Sequence, residues 1–319
     1  MKSLLAGSAS PGKARRGAGE NPAGWLFVLP ALLPLLVFWV FPVFYSLFIS
    51  FTDWDLMSKD FNFVLIKNYI SLFRDPKFFK ILANTLIFAL GTTGSVIVLG
   101  FLAALLFSGV PGGIRGRGSK GRRFSSGRGI FRTLIFSPYI TPMIAVSIVW
   151  SWIFEPRVGV LNFILSLFRL PALKWTQSMD TAMLSVIIVT VWKQLGWAMI
   201  FYIEAINRIP GSLPEAAIID GAGFAKRLVH VTIPMVSPTT YFLVIISTII
   251  SLQAYDQILV LTNGGPAGAT RTLLYYYYQE AFNNFSAGKA SAVAVVIVLI
   301  TVILSVSETM LSKRAVYYD

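Results

Sequence analysis

The stretch PEAAIIDGAGFAKRLVHVTIP, Pro214 to Pro234, stands between two long apolar runs. It is too polar to continue either run and too patterned to be a passive connector. Ser212 and Glu215 have the S-x-x-E spacing of a capping box, and Pro214 suits a first helical turn, so a helix is predicted from about Leu213. Ala216 and Ala217 give that helix a small-residue face that another surface can approach closely. Gly221 offers a turn or a close contact that a Cβ obstructs. A second short helix is predicted from Phe224. Phe224, Leu228 and Val231 recur at i, i+4 and i+7, Lys226, Arg227 and His230 point elsewhere, and Pro234 ends it. Connections in helical bundles are usually short, whereas this one covers 204–238. Physics alone leaves two readings, an amphipathic connector on a membrane surface or a docking element for another protein.

The flanking runs decide the setting. Hydrophobic residues make up 55% of the 319 and charged residues 13%, about half the charged share of a soluble domain. Six apolar runs long enough to cross a bilayer fall near 25–50, 84–107, 133–154, 180–203, 239–262 and 289–312. The expected fold is therefore all-α, a polytopic membrane protein with six transmembrane helices. Residues 1–24 form a tail, 25–312 the membrane domain with loops at 108–132 and 204–238, and 313–319 a second tail. Lys2, Lys13, Arg15 and Arg16 precede the first run as in a signal peptide, but that run far exceeds an h-region and reads as an uncleaved span.

Net charge is +13. The basic residues cluster in loops, so the charge reads as topology and lipid contact rather than nucleic-acid binding. With both termini in the cytoplasm, sixteen Lys and Arg fall on the inner side and ten on the outer, the positive-inside pattern. RGRGSKGRRFSSGRG, Arg115 to Gly129, contributes most and holds no acidic residue. Within it Gly113 and Gly118 have phosphate-loop spacing only in part, because Ser119 stands where the lysine belongs and no strand precedes. No cysteine and a single histidine, His230, exclude thiol chemistry, disulfides and His-cluster metal sites. No catalytic group and no bound cofactor is expected.

The Pro214 loop resembles the EAA loop of ABC-importer permeases: EAA, three residues, Gly, nine residues, then I-x-L-P. Here Glu215-Ala216-Ala217, Gly221 and Val231-Thr232-Ile233-Pro234 keep that spacing, and Asp220 precedes the glycine as in carbohydrate-importer permeases. Asn68–Leu86, Phe131–Asn162 and Leu261–Phe282 resemble further segments of the maltose and glycerol-phosphate type, in order. The Gly/Arg-rich stretch 111–129 is longer than the family pattern. The resemblance implies a type I importer permease fold in a prokaryotic inner membrane. It implies a second, homologous permease, two ATPase subunits that use ATP and Mg on this chain's behalf, and an external solute-binding protein. Glu215, Ala216, Ala217, Asp220, Gly221 and Pro234 would then couple the ATPase to the spans. The solute would be a sugar, an oligosaccharide or a polyol phosphate, and the chain no enzyme.

Polar groups inside spans are costly and default to functional candidates, a central charge by roughly 2.5–3.5 kcal/mol. Thr190, Lys193, Gln194 and Trp197 share one helical face. An aromatic ring beside amide and hydroxyl groups suits a sugar, and the family likeness places its pathway there; hydrogen bonding within the bundle is the competing reading. In the fifth run Ser251 and Gln253 are the pathway candidates, and Asp256 is the expected ion-pair partner of Lys193. Tyr275 to Tyr278 read as an interfacial aromatic belt or as stacking rings. GTTGSVIVLG, Gly91 to Gly100, reads as tight span packing. An ion-coupled secondary transporter or channel, without an ATPase, is the alternative function; it predicts an internal repeat, and none is evident.

Overall fold

The computed structural model describes residues 22–108 and 126–315. Most of both tails, the partial phosphate-loop residues Gly113, Gly118 and Ser119, and most of the basic run lie outside the described residues. The chain divides after Phe48 into two units. The described residues of the first form an apolar helix, α1 (22–49), which ends one residue past that division and in which a π turn at Leu36–Val40 follows Pro30 and Pro34.

The second unit is a helical bundle. Its helices are α2 (Lys67–Arg74), α3 (Pro76–Ser108), α4 (Ser126–Ile140), α5 (Met143–Ile153), α6 (Val160–Leu167) and α7 (Ala182–Arg208). They continue with α8 (Ser212–Ile219), α9 (Phe224–Met235), α10 (Ser237–Leu252), α11 (Asp256–Leu261), α12 (Leu273–Tyr278) and α13 (Ala287–Ala315). At 1.5 Å per residue the 33 residues of α3 reach about 50 Å, longer than the ~30 Å hydrocarbon layer.

α7 is the central post, with α3 and α4 packed along it. Without a hydrophobic drive between helices in lipid, close approach comes from small residues. Gly100 of α3 faces Ala198, where an added Cβ would sit 2.7 Å from the Ala198 Cβ. A Cβ on Gly196 would lie 2.1 Å from the Ile135 carbonyl oxygen, so α4 and α7 touch backbone to backbone. The Gly91–Gly100 segment thus serves packing, as its small residues predict.

Four apolar stretches are single helices: Phe27–Ile49, Pro76–Ser108, Ala182–Arg208 and Ala287–Met310. The third and fifth differ from expectation. The third begins at Ser126, seven residues early, and folds through 104° between α4 and α5. Pro142 is the cause: it lacks an N–H and disfavours helical backbone at Thr141. The fifth stops at Leu252, is non-helical at Gln253–Tyr255, and resumes as α11. Its other end joins α9 through a 63° bend at Val236.

Candidate functional site

The two interruptions face the middle of α7, and a cavity of about 570 Å³ lies among them. Tyr139 and Met143, on either side of the α4–α5 bend, form one wall. Thr190, Lys193 and Gln194 of α7 form the second. Ile250 and Gln253 to Gln257 form the third, with Leu274 of α12 beside them. Interrupted spans leave backbone groups that lipid cannot satisfy, so such segments line cavities or find side-chain partners.

Lys193 is one such partner. Its ammonium donates to the Tyr139 carbonyl at 2.8 Å and lies 5.2 Å from that residue's ring centre. In an unbroken helix that carbonyl would bond the amide of Met143. The cation therefore caps the carboxyl end of α4, where the helix dipole favours positive charge. The expected ion pair of Lys193 with Asp256 is not formed; both residues line the cavity, but the bend offers the lysine a carbonyl instead.

Thr190 donates to the Val186 carbonyl at 2.8 Å and accepts from the Gln257 amide at 3.5 Å. Gln194 is buried, and its side-chain oxygen has no hydrogen-bond partner among the described residues. Gln253 is exposed at the break. The other two pathway candidates are not on the cavity wall. Trp197 is buried, stacked on Tyr139 with ring centres 5.9 Å apart at 15°. The Ser251 and Thr92 hydroxyls bond at 2.7 Å, clamping α10 to α3. Sequence reasoning missed Tyr139, Met143 and Tyr255 as cavity residues and did not select Gln257. Pro142 was the available signal for the first two.

The tyrosine tetrad departs from a lipid-facing belt. Tyr275 is 1% exposed and Tyr276 is also buried, because α12 packs on α13 and α3. Tyr276 also lies under Lys289, 5.5 Å away, which pairs with the buried Glu280 at 3.3 Å. Burial pushes the Tyr276 hydroxyl above its usual pKa, the nearby lysine partly offsetting this.

The Pro214 segment folds as two short helices, but the capping box does not form. Gly211 occupies the N-cap without a side-chain bond, and Ser212 is already helical. Glu215, Ala216 and Asp220 are exposed, Ala217 is half-buried, and Ile219 is 86% exposed. Gly221 has φ +76° with open space around a Cβ, so it is needed for the turn rather than for room. Pro234 does not end α9; the helix passes a π turn at Leu228–Thr232 and continues to Met235. Without an amide hydrogen, Pro234 cannot close the α-helical bond back to His230.

A bundle of long apolar helices, two of them broken around a shared cavity, with a structured elbow exposing apolar side chains, defines a membrane-embedded transport subunit. Residues 109–317 match the family described as binding-protein-dependent transport system inner membrane component, and the chain belongs to it. It is 34% identical over 294 residues to the probable ABC transporter permease protein PH1215 of Pyrococcus horikoshii, covering 91% of this chain and 96% of that one. It is 32% identical to the probable ABC transporter permease protein YurN of Bacillus subtilis, covering 89% and 94%. With the sn-glycerol-3-phosphate transport system permease protein UgpA of Agrobacterium fabrum it shares 30% identity, covering 92% and 96%. Its fold matches a chain of a bacterial alginate ABC transporter, solved with a periplasmic protein carrying an alginate pentasaccharide, at TM-score 0.76 and 20% identity, covering 92% and 94%. The chain is thus an ABC-importer permease, a transport component and not an enzyme.

Proposed function

We propose that this permease carries a sugar, an oligosaccharide or a polyol phosphate across a prokaryotic inner membrane, and that the cavity at the two interrupted spans is its route. The observation that carries this is Gln194: a buried amide oxygen without a partner among the described residues, on a cavity that Thr190, Gln253, Asp256 and Gln257 also line. An unmet buried acceptor costs about 1–3 kcal/mol, and a hydroxylated solute would supply the missing donor. The glycerol-phosphate and alginate transporters it resembles point to the same hydroxylated chemistry. Lys193 and Trp197 hold the wall, and Ser251 holds α10 behind it.

In this reading both termini are cytoplasmic and the Glu215 elbow lies on that side. Two ATPase subunits seat it, using ATP and Mg; a homologous second permease closes the pathway, and an external binding protein delivers solute. Exposed Leu213, Ile219 and Phe224 supply apolar contact, Ala216 and Ala217 close approach, and Glu215 and Asp220 polar anchoring. Gly221 sets the turn and Pro234 the route into α10. ATP-driven closure would move the elbow and rock the spans between two access states.

Uptake by the complete assembly in proteoliposomes tests the route. Gln194→Leu and Gln257→Leu are expected to lower it about tenfold or more, each by removing a hydrogen-bonding group. Unchanged uptake in both rejects the cavity. Glu215→Lys is expected to leave ATP hydrolysis uncoupled from uptake, and normal coupling rejects the elbow.

A further inference from the structure

Tyr255 lines the cavity, and its ring centre is 4.8 Å from that of Tyr278. Tyr278 in turn lies 5.2 Å from Phe282, which is 56% exposed. Three rings thus run in two steps of about 5 Å from the cavity wall to the surface. Behind them Tyr275 is fixed. Its hydroxyl donates to the Asn263 side-chain oxygen at 2.6 Å, and its ring packs 6.3 Å from Tyr255 and 6.5 Å from Tyr278. A lipid belt would set its rings side by side in the membrane plane, each facing outward. This row instead runs ring to ring from exposed Phe282 to Tyr255 at the cavity, whose wall also carries the amides of Gln253 and Gln257.

We infer that Phe282, Tyr278 and Tyr255 form an entry rail for the neutral ring or polyol face of the solute. The inference rests on the cavity being the transport route. Aromatic faces are electron-rich and their quadrupole attracts the polarised C–H groups of a sugar face, while leaving its hydroxyls free. Such stacking is weak and tolerant of orientation, so successive rings can pass a solute inward without holding it. The hydroxyls then meet Gln257 and Gln194 at the end of the row.

Proteoliposomes holding the complete assembly are given radiolabelled maltose, maltotriose and glycerol 3-phosphate, and the probe the unaltered protein carries fastest is used throughout. Tyr278→Leu and Phe282→Leu keep apolar bulk and remove the ring; Tyr278→Phe and Phe282→Tyr keep the ring. At low probe concentration the leucine variants are expected to take up about three- to tenfold less, with the rate at saturation retained. The aromatic variants are expected to match the unaltered protein. Because the chain has no cysteine, Phe282→Cys adds its only thiol. A membrane-impermeant thiol reagent should label it from the binding-protein side, and the probe should slow that labelling. Equal low-concentration uptake in the leucine variants, or labelling that the probe does not slow, overturns the rail. Gln257→Leu separates the two readings. Normal uptake there and in Gln194→Leu overturns the cavity itself, while loss there beside normal Tyr278→Leu and Phe282→Leu overturns the rail alone.

Discussion

The two interrupted spans differ in what breaks them and in what repairs them. Between α4 and α5 the cause is covalent: Pro142 cannot donate and pushes Thr141 out of helical backbone. Between α10 and α11 the stretch Gln253–Tyr255 contains neither proline nor glycine. Repair differs as well. The freed carbonyl of Tyr139 takes a charged donor, Lys193, at 2.8 Å, whereas the Ala254 carbonyl takes the neutral hydroxyl of Thr272 at 3.3 Å. The first break is written into the chain and secured strongly. The second is imposed by its surroundings and secured weakly, as suits the side of the cavity that carries Gln253, Asp256 and Gln257.

The contrast can be broken most forcefully at Gly196. Gly196→Ala places a methyl 2.1 Å from the Ile135 carbonyl oxygen, so α4 must move off α7. We expect a loss of about 3 kcal/mol, at the upper end for overpacking, together with failed uptake. Thermal unfolding of the detergent-solubilised protein checks it, and a normal midpoint would mean the helices are not in backbone contact. Lys193→Met follows, leaving the Tyr139 carbonyl unmet at a cost of about 1.5–3 kcal/mol, the range for charged hydrogen bonds. Lys193→Arg should restore stability. If Lys193→Met instead melts normally and only weakens solute affinity, the lysine serves the solute and the asymmetry disappears.

Thr272→Val removes the neutral partner of Ala254 and is expected to cost about 0.5–1 kcal/mol. A larger loss than for Lys193→Met would reverse the ranking of the two repairs. The smallest effect lies far from both breaks. Asp53 accepts from the Asn62 backbone amide at 2.6 Å and from its side chain at 3.2 Å, which holds its carboxyl below the usual value. A depressed carboxyl stabilises above its unfolded pKa, and that contribution fades as pH falls through the folded one. Hydrogen exchange across 53–62 should therefore rise on acidification, beyond its intrinsic pH dependence, in the unaltered protein. In Asp53→Asn the extra rise should shrink to the share of Asp55, whose carboxyl is likewise held below its usual value by hydrogen bonds from Ser58.

How much could be read in advance follows the same division. Apolar run length located the four segments that are single long helices, and the two bent pairs complete the expected six where each pair counts as one span, since run length reports what lipid must surround. The spacing around Glu215 located the elbow, because the helix-favouring run at Glu215–Ala217 and the turn at Gly221 act locally. Continuity was not legible, since an apolar run reads alike whether straight or folded through 104°. Pro142 was a local warning for the third span, whereas the fifth carried only an unusual density of polar residues. Sharing a helical face put Trp197 with Lys193, but that periodicity could not tell a wall from its backing; the stack on Tyr139 decided it. Ser251 likewise was polar for the sake of Thr92 on another helix. The capping box failed because Ser212 already belongs to the helix, one position too late to cap it.

The π turn at Leu228–Thr232 lies between the elbow and α10. Such a turn stores one surplus residue, and a residue of α-helix is about 100° of rotation. If that surplus were absorbed, Phe224 and everything before it would swivel about the axis of α9 by roughly a quarter-circle while the rod stayed unbroken. A push arriving at Ile219 could thus be converted into twist before it reached the membrane, a clutch rather than a stiff piston.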